Sequence, residues 1–162
     1  MSKLTLPSLC VATASFNAEE LIDNNWKVFL GEQDKRSAEL TEVNLSKADF
    51  VTCLTPIETS ISGEEKLSRL KNNTDTIRYG ATVFMGLWKD YEVNKKNSIL
   101  ERLYCQKEIT YLDFFGDVLG TKDGRKNVLL LYRRLDVWYW NHRWLEYPWR
   151  NVDLSVVSSQ VS

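Results

Sequence analysis

Four of the six tryptophans in this chain, Trp138, Trp140, Trp144 and Trp149, fall within twelve residues, in a run that also holds Tyr139, Tyr147, His142, Arg143 and Arg150. Large amphipathic rings beside guanidinium groups either form the core of a small sheet or make a surface on which a sugar, a base or a protein partner stacks. On a strand, Trp138, Trp140 and His142 point one way while Val137, Tyr139 and Asn141 point the other. The size of the indole favours packing for Trp138 and Trp140, and truncating either to alanine is expected to cost about 3–5 kcal/mol. If that face is core, the exposed face is Tyr139 and Asn141. Trp149 lies beyond Pro148 and beside Arg150 and is expected to be partly exposed, so the candidate binding residues are Trp149, Arg150, Tyr147, Arg143, His142 and Trp144.

Catalytic chemistry is poorly represented. Nucleophilic triads and most acid–base sites lean on histidine, and the chain has one, His142, read as a rim residue rather than a base. No H-x-x-x-H, H-E-x-x-H or paired-cysteine spacing is present, so no metal and no cofactor are expected. Gly116, Gly120 and Gly124 are spaced by three residues across a hairpin without a following helix, and a turn role suffices for them. Asp113, Asp117 and Asp123 contain the makings of a carboxylate pair, but their spacing along a strand and turn is ordinary. The expectation is a protein that is not an enzyme.

These residues have to be positioned by something, and the patterning supplies it. Asn17 can cap a helix over residues 17–30, with Leu21, Ile22, Trp26, Phe29 and Leu30 as one apolar stripe and Gly31 as its stop. A short strand is expected over residues 38–43, and Ser46 is read as the cap of one or two helical turns ending before Pro56. Ser62 and Glu65 stand in capping-box register, which predicts a helix over 63–72. Val83, Phe84, Leu87 and Trp88 predict another over 79–89, and SILERLYC adds a further turn. Near residue 108 the periodicity changes from 3.6 to 2, and Asp123-Gly124 marks a hairpin within an antiparallel meander over about 109–146. Gly124 should therefore have positive φ. The fold class expected is α+β: N-terminal helices (about 15–106) packed on a C-terminal antiparallel β-meander (about 108–150), one domain over 14–158 with residues 1–13 as an extended arm.

With 43% apolar and 27% charged residues the composition is that of a soluble globular protein, and no apolar run approaches the roughly 20 residues that span a bilayer. The N-terminus carries Lys3 and an ATA before Ser15, but Thr5, Pro7 and Ser8 interrupt the apolar stretch that a signal peptide needs. Three widely spaced cysteines read as reduced, mostly buried thiols in a cytoplasmic protein. The formal charge is −1, yet residues 122–150 carry 7 basic and 3 acidic side chains, a local net of 7 − 3 = +4. This is read as solvated surface charge.

The segments FNAEELIDNNWKV, LTEVNLSK, GEEKLSRLK, IRYGATVFMGLW, ITYLDFFGDVL with its DGR turn, VLLLY, and the closing W-x-W-x-x-x-W-L-x-x-x-W resemble a family of small uncharacterised bacterial proteins. The likeness runs from about Ala14 to Val157. It implies a single heritable unit and carries no activity. This chain departs from the pattern in two places: VNKKNSILERLYC replaces an I-P-x-x-W-K segment, and Arg133-Arg134-Leu135-Asp136 replaces a glycine-rich turn. The expected function is a non-enzymatic module that meets another protein, or another copy of itself, through the Trp/Tyr/Arg-rich C-terminal region. The alternatives are a glycan-binding module that uses exposed indoles, or a nucleic-acid-binding one in which Arg125, Lys126, Arg133, Arg134, Arg143 and Arg150 contact phosphates. A net charge of −1 and a pI near 5.9 argue against the latter.

Overall fold

The computed structural model describes residues 8–22 and 25–159. In chain order its elements are β1 (Cys10–Ala12), α1 (Ala18–Leu21), β2 (Lys27–Val28), α2 (Lys35–Ala38), β3 (Glu42–Asn44), β4 (Ala48–Val51), β5 (Ser60–Ser62), α3 (Gly63–Asn72), α4 (Ala81–Asn94), α5 (Ile99–Lys107), β6 (Tyr111–Gly120), β7 (Lys126–Arg134), β8 (Val137–Trp144), β9 (Pro148–Arg150) and β10 (Ser155–Ser158). The fold is α+β. Strands β6, β7 and β8 form the expected antiparallel meander, joined in the order β4-β10-β6-β7-β8 to strands from both ends of the chain. β10 runs parallel to β6 at Ser155 and Asp113, and antiparallel to β4.

Local chemistry accounts for the elements that match expectation. In α3 the Ser62 hydroxyl accepts the Glu65 N–H at 3.1 Å, with Glu64 and Glu65 in the first turn and Arg69 and Lys71 in the last. α5 is capped by Ser98 and ends at Glu108 in the left-handed conformation. α4 begins at Gly80 without a side-chain cap of its own. Asp117 on β6 supplies one from outside the helix, accepting the Ala81 N–H at 2.6 Å.

Tertiary pairing overrides several expectations. The helix expected over 17–30 stops at Leu21, although Asn17 caps it as foreseen. Ile22 caps the helix end, and the sequence continues as Asp-Asn-Asn, residue types that compete with helix hydrogen bonding. Lys27 and Val28 instead pair with Gly120 and Leu119 on β6, and Trp26 is buried in the core. The helical turns expected from Ser46 shrink to a 3-10 turn, Leu45–Lys47, capped by Asn44, and the chain then enters β4 because β10 offers a partner. The strand expected over 38–43 is displaced to β3, after the short helix α2. These changes replace the simple picture of N-terminal helices laid on a C-terminal meander. Leu9 is buried and β1 pairs with β3, so this part of the expected arm is extended but tied in, while residues 1–7 lie outside the described residues. Cys10 and Cys105 are exposed and Cys53 is half-buried, against the expectation of mostly buried thiols. No helix among the described residues is long and apolar enough to cross a membrane.

Gly116 and Gly120 are strand residues, not turn residues. A Cβ on Gly116 would lie 2.2 Å from the Arg78 carbonyl oxygen, because the chain leading into α4 runs against β6 there and Gly116 N–H donates to Tyr79 O. Gly124 does turn the β6–β7 hairpin, at φ +82. The space around its Cα is open, so the effect of a side chain is conformational: Gly124→Val is expected to lower stability by about 1 kcal/mol or more in a thermal melt. The β7–β8 turn places Leu135 and Asp136 both at positive φ, 52 and 66, which is the two-residue hairpin geometry that glycine adopts most easily. This chain closes the turn without glycine.

Candidate functional site

Alternation along β8 separates the candidates His142 and Trp144 from Arg143. Trp138, Trp140, His142 and Trp144 lie on the helix-covered face of β8. Trp138 is 1% exposed, its indole N–H donates to Glu101 on α5 at 3.0 Å, and its backbone N–H donates to the Tyr91 hydroxyl on α4 at 3.1 Å. Trp140 meets Phe84 edge-on. Packing is thus the role of both indoles. Glu101 also takes a bidentate pair from Arg133, whose hydrogen bonds hold the carboxyl below its ordinary range. His142 packs against Trp26 with ring centroids 4.5 Å apart and planes tilted by 58°, and meets Asn127 Oδ1 through Nδ1 at 3.2 Å; burial pushes its pKa down. Trp144 is half-buried under the Arg125 guanidinium at 3.5 Å.

Trp149 is a correction. It was expected at the surface and is 0% exposed, because β9 pairs with β5 and turns the ring inward against Phe115 at 5.7 Å. Its Nε1–H donates to Asp113 Oδ2 at 3.1 Å. Arg143 lies over the same ring at 4.7 Å and bonds Asp153 and the Pro148 carbonyl. Tyr147 and Arg150 are exposed. The structure therefore brings Arg143 and Trp149 together, brings His142 and Trp144 together, and keeps the two pairs on opposite sides of the sheet.

Sequence reasoning passed over the most concentrated polar chemistry in the molecule. Lys66 on α3 and Asp113 on β6 are both 0% exposed, with Nζ 3.1 Å from Oδ2. Lys66 also donates to the Asp153 carbonyl at 2.6 Å and lies over the Phe115 ring, while Ser155 Oγ–H donates to Asp113 Oδ1. Burial pushes the Asp113 carboxyl up to about 6. A signal existed: Lys66 sits four residues before Leu70 and next to Leu67, on the side of α3 that is otherwise apolar. Asp113 and Asp117 do not form a carboxylate pair. Asp117 is held separately by Gln33 at 2.7 Å and by the start of α4, and Asp123 bonds Thr121 in the exposed turn.

The opposite face of the hairpin carries a row that the linear sequence does not display. Tyr111 on β6 pairs with Tyr132 on β7, which pairs with Tyr139 on β8. Directly paired residues share a face, so three tyrosines stand side by side, and Tyr132 and Tyr139 stack at 5.4 Å and 25°. Helix α3 covers this face only farther along, at Phe115, Val118 and Val128. Tyr139 is 42% and Val137 41% exposed, with exposed Arg134 and Asn141 beside them. None of the six tryptophans is exposed in this way.

No family model matches this chain, and neither does any curated protein or solved structure.

Proposed function

We propose that this protein is a non-enzymatic protein-interaction module, and that it contacts its partner with the outer face of the β7–β8 hairpin rather than with its indoles. The observation that carries this reading is the Tyr111–Tyr132–Tyr139 row, open at Tyr139 and continued by Val137. Tyrosine supplies a large, rigid contact area with a polar end and loses little conformational entropy on binding. A face of this kind suits a partner better than a strand added to the β8 edge. There the outward Trp138 N–H is already held by Tyr91, and the His142 N–H by the Asn141 side chain.

The alternatives have less support. Glycan stacking on exposed indoles needs indoles that are exposed. The basic residues that would meet nucleic acid are largely neutralised at home: Arg125 by Glu146, Lys126 by Glu32, Arg133 by Glu101 and Arg143 by Asp153. Ion-paired arginines release few counterions on meeting a polyanion.

Tyr139→Glu tests the reading, because it places a charge at the centre of the contact while leaving the core untouched. Its stability should fall by about 1–2 kcal/mol, from the lost stack on Tyr132 and the weaker strand preference of glutamate, which leaves the protein folded. Retention of the partner that the immobilised parent chain captures, or self-association measured by sedimentation, should fall at least about tenfold. Undiminished association by a folded Tyr139→Glu variant would remove this face from consideration, and a monomeric parent that captures no protein would remove the interaction reading.

A further inference from the structure

The geometry points to a covalent cross-link: Lys66 and Asp113 are placed to form an intramolecular amide between Nζ and Cγ, joining α3 to β6 inside the folded protein. Lys66 is the one buried lysine among the described residues, and its Nζ lies 3.1 Å from Asp113 Oδ2 with both side chains sealed from solvent. Amine and carboxyl held in contact on two packed elements have an effective concentration far above that of any bimolecular reaction. The carboxyl is enclosed by apolar side chains, because Phe115, Trp149, Leu67 and Leu70 line this side of the sheet, and such surroundings disfavour its charged form.

The carboxyl is also held as an acyl donor would be. Ser155 Oγ–H donates to Oδ1, and Trp149 Nε1–H donates to Oδ2. A proton passes from the Lys66 ammonium to Oδ2, leaving a free amine and a carboxylic acid. Nζ attacks Cγ, and negative charge develops on Oδ1, where the serine hydroxyl stabilises it. A second proton moves from nitrogen to Oδ2, the Cγ–Oδ2 bond breaks, and water departs. The third ammonium hydrogen stays on the amide. Three nitrogen-bound hydrogens thus become one amide hydrogen and one water, with no change of oxidation state. The raised pKa of Asp113, caused first by its burial, is consistent with a carboxyl that readily accepts the first proton.

Mass spectrometry of the full chain tests this. After folding, ageing in mildly acidic buffer and denaturation, the parent should be lighter than its sequence by one water, whereas Lys66→Arg should have its full mass. Dehydration of Asp123-Gly124 to a succinimide removes the same mass, so peptide mapping decides between the two. The cross-link predicts a single species that joins the peptide containing Lys66 to the one containing Asp113, with no tryptic cleavage after Lys66. Mapping is done on the parent and does not depend on Lys66→Arg folding. Recovery of Lys66 and Asp113 in separate, unlinked peptides from aged, folded protein overturns the proposal, as does water loss confined to Asp123-Gly124.

Discussion

Trp149→Ala should destabilise the protein by about 3–5 kcal/mol, enough to unfold much of the population of a domain of ordinary stability. The ring is fully buried, meets Phe115, lies under Arg143, and approaches the backbone of Gly63 so closely that a Cβ there would fall 2.4 Å from Cζ3. Truncation leaves a void the neighbours cannot close and removes a hydrogen bond to a buried carboxylate, and both effects act in the same direction. Trp149→Phe should recover a good part of the loss, since it restores much of the volume but not the donor to Asp113. Chemical denaturation of the three proteins settles the matter: a loss below about 1 kcal/mol for Trp149→Ala would mean that the indole is not a packed anchor. The sequence alone points to a partly exposed ring at this position, for which truncation would cost little stability.

Asp113→Ala should be comparably damaging, at about 3–5 kcal/mol, because it leaves Lys66 buried with the Asp153 carbonyl as its remaining hydrogen-bond acceptor and orphans the Trp149 and Ser155 donors. Much of that cost belongs to the abandoned charge and not to the pair itself. The double variant Lys66→Met/Asp113→Leu should therefore be more stable than Asp113→Ala, and a double-mutant cycle built from the single replacements, with freshly folded parent in which Lys66 and Asp113 are still unlinked, should show a large coupling. If the double variant is no more stable than Asp113→Ala, the two buried side chains do not act as one electrostatic unit. Urea denaturation curves with matched m-values would make the comparison valid.

The tryptophan run shows how far a pattern reaches. Alternation alone correctly separated Trp138 and Trp140 from Tyr139 and Asn141, and indole size correctly sent the former inward, because both arguments concern a strand and its own two faces. Trp149 failed the same logic: its burial depends on β9 finding β5, nearly ninety residues earlier, and a flanking proline and arginine carry no trace of that pairing. The tyrosine row was equally invisible. Tyr111, Tyr132 and Tyr139 are neighbours only in the register of three strands.

What the sequence by itself determined was whatever closes over a few residues. The capping box of Ser62 and Glu65, the Asp123-Gly124 turn with its positive φ, and the switch from helix to strand beyond residue 108 all appear as read, although β6 is buried on both faces and does not alternate. Tertiary structure decided the rest. The helix expected beyond Leu21 gives way to a strand on β6, the segment after Ser46 becomes a strand on β10, and Lys66 on α3 meets Asp113 at a separation of 47 residues. In each case a marginal local preference, worth at most a few tenths of a kcal/mol per residue, competes with burial and pairing worth several times more, and the distant partner prevails.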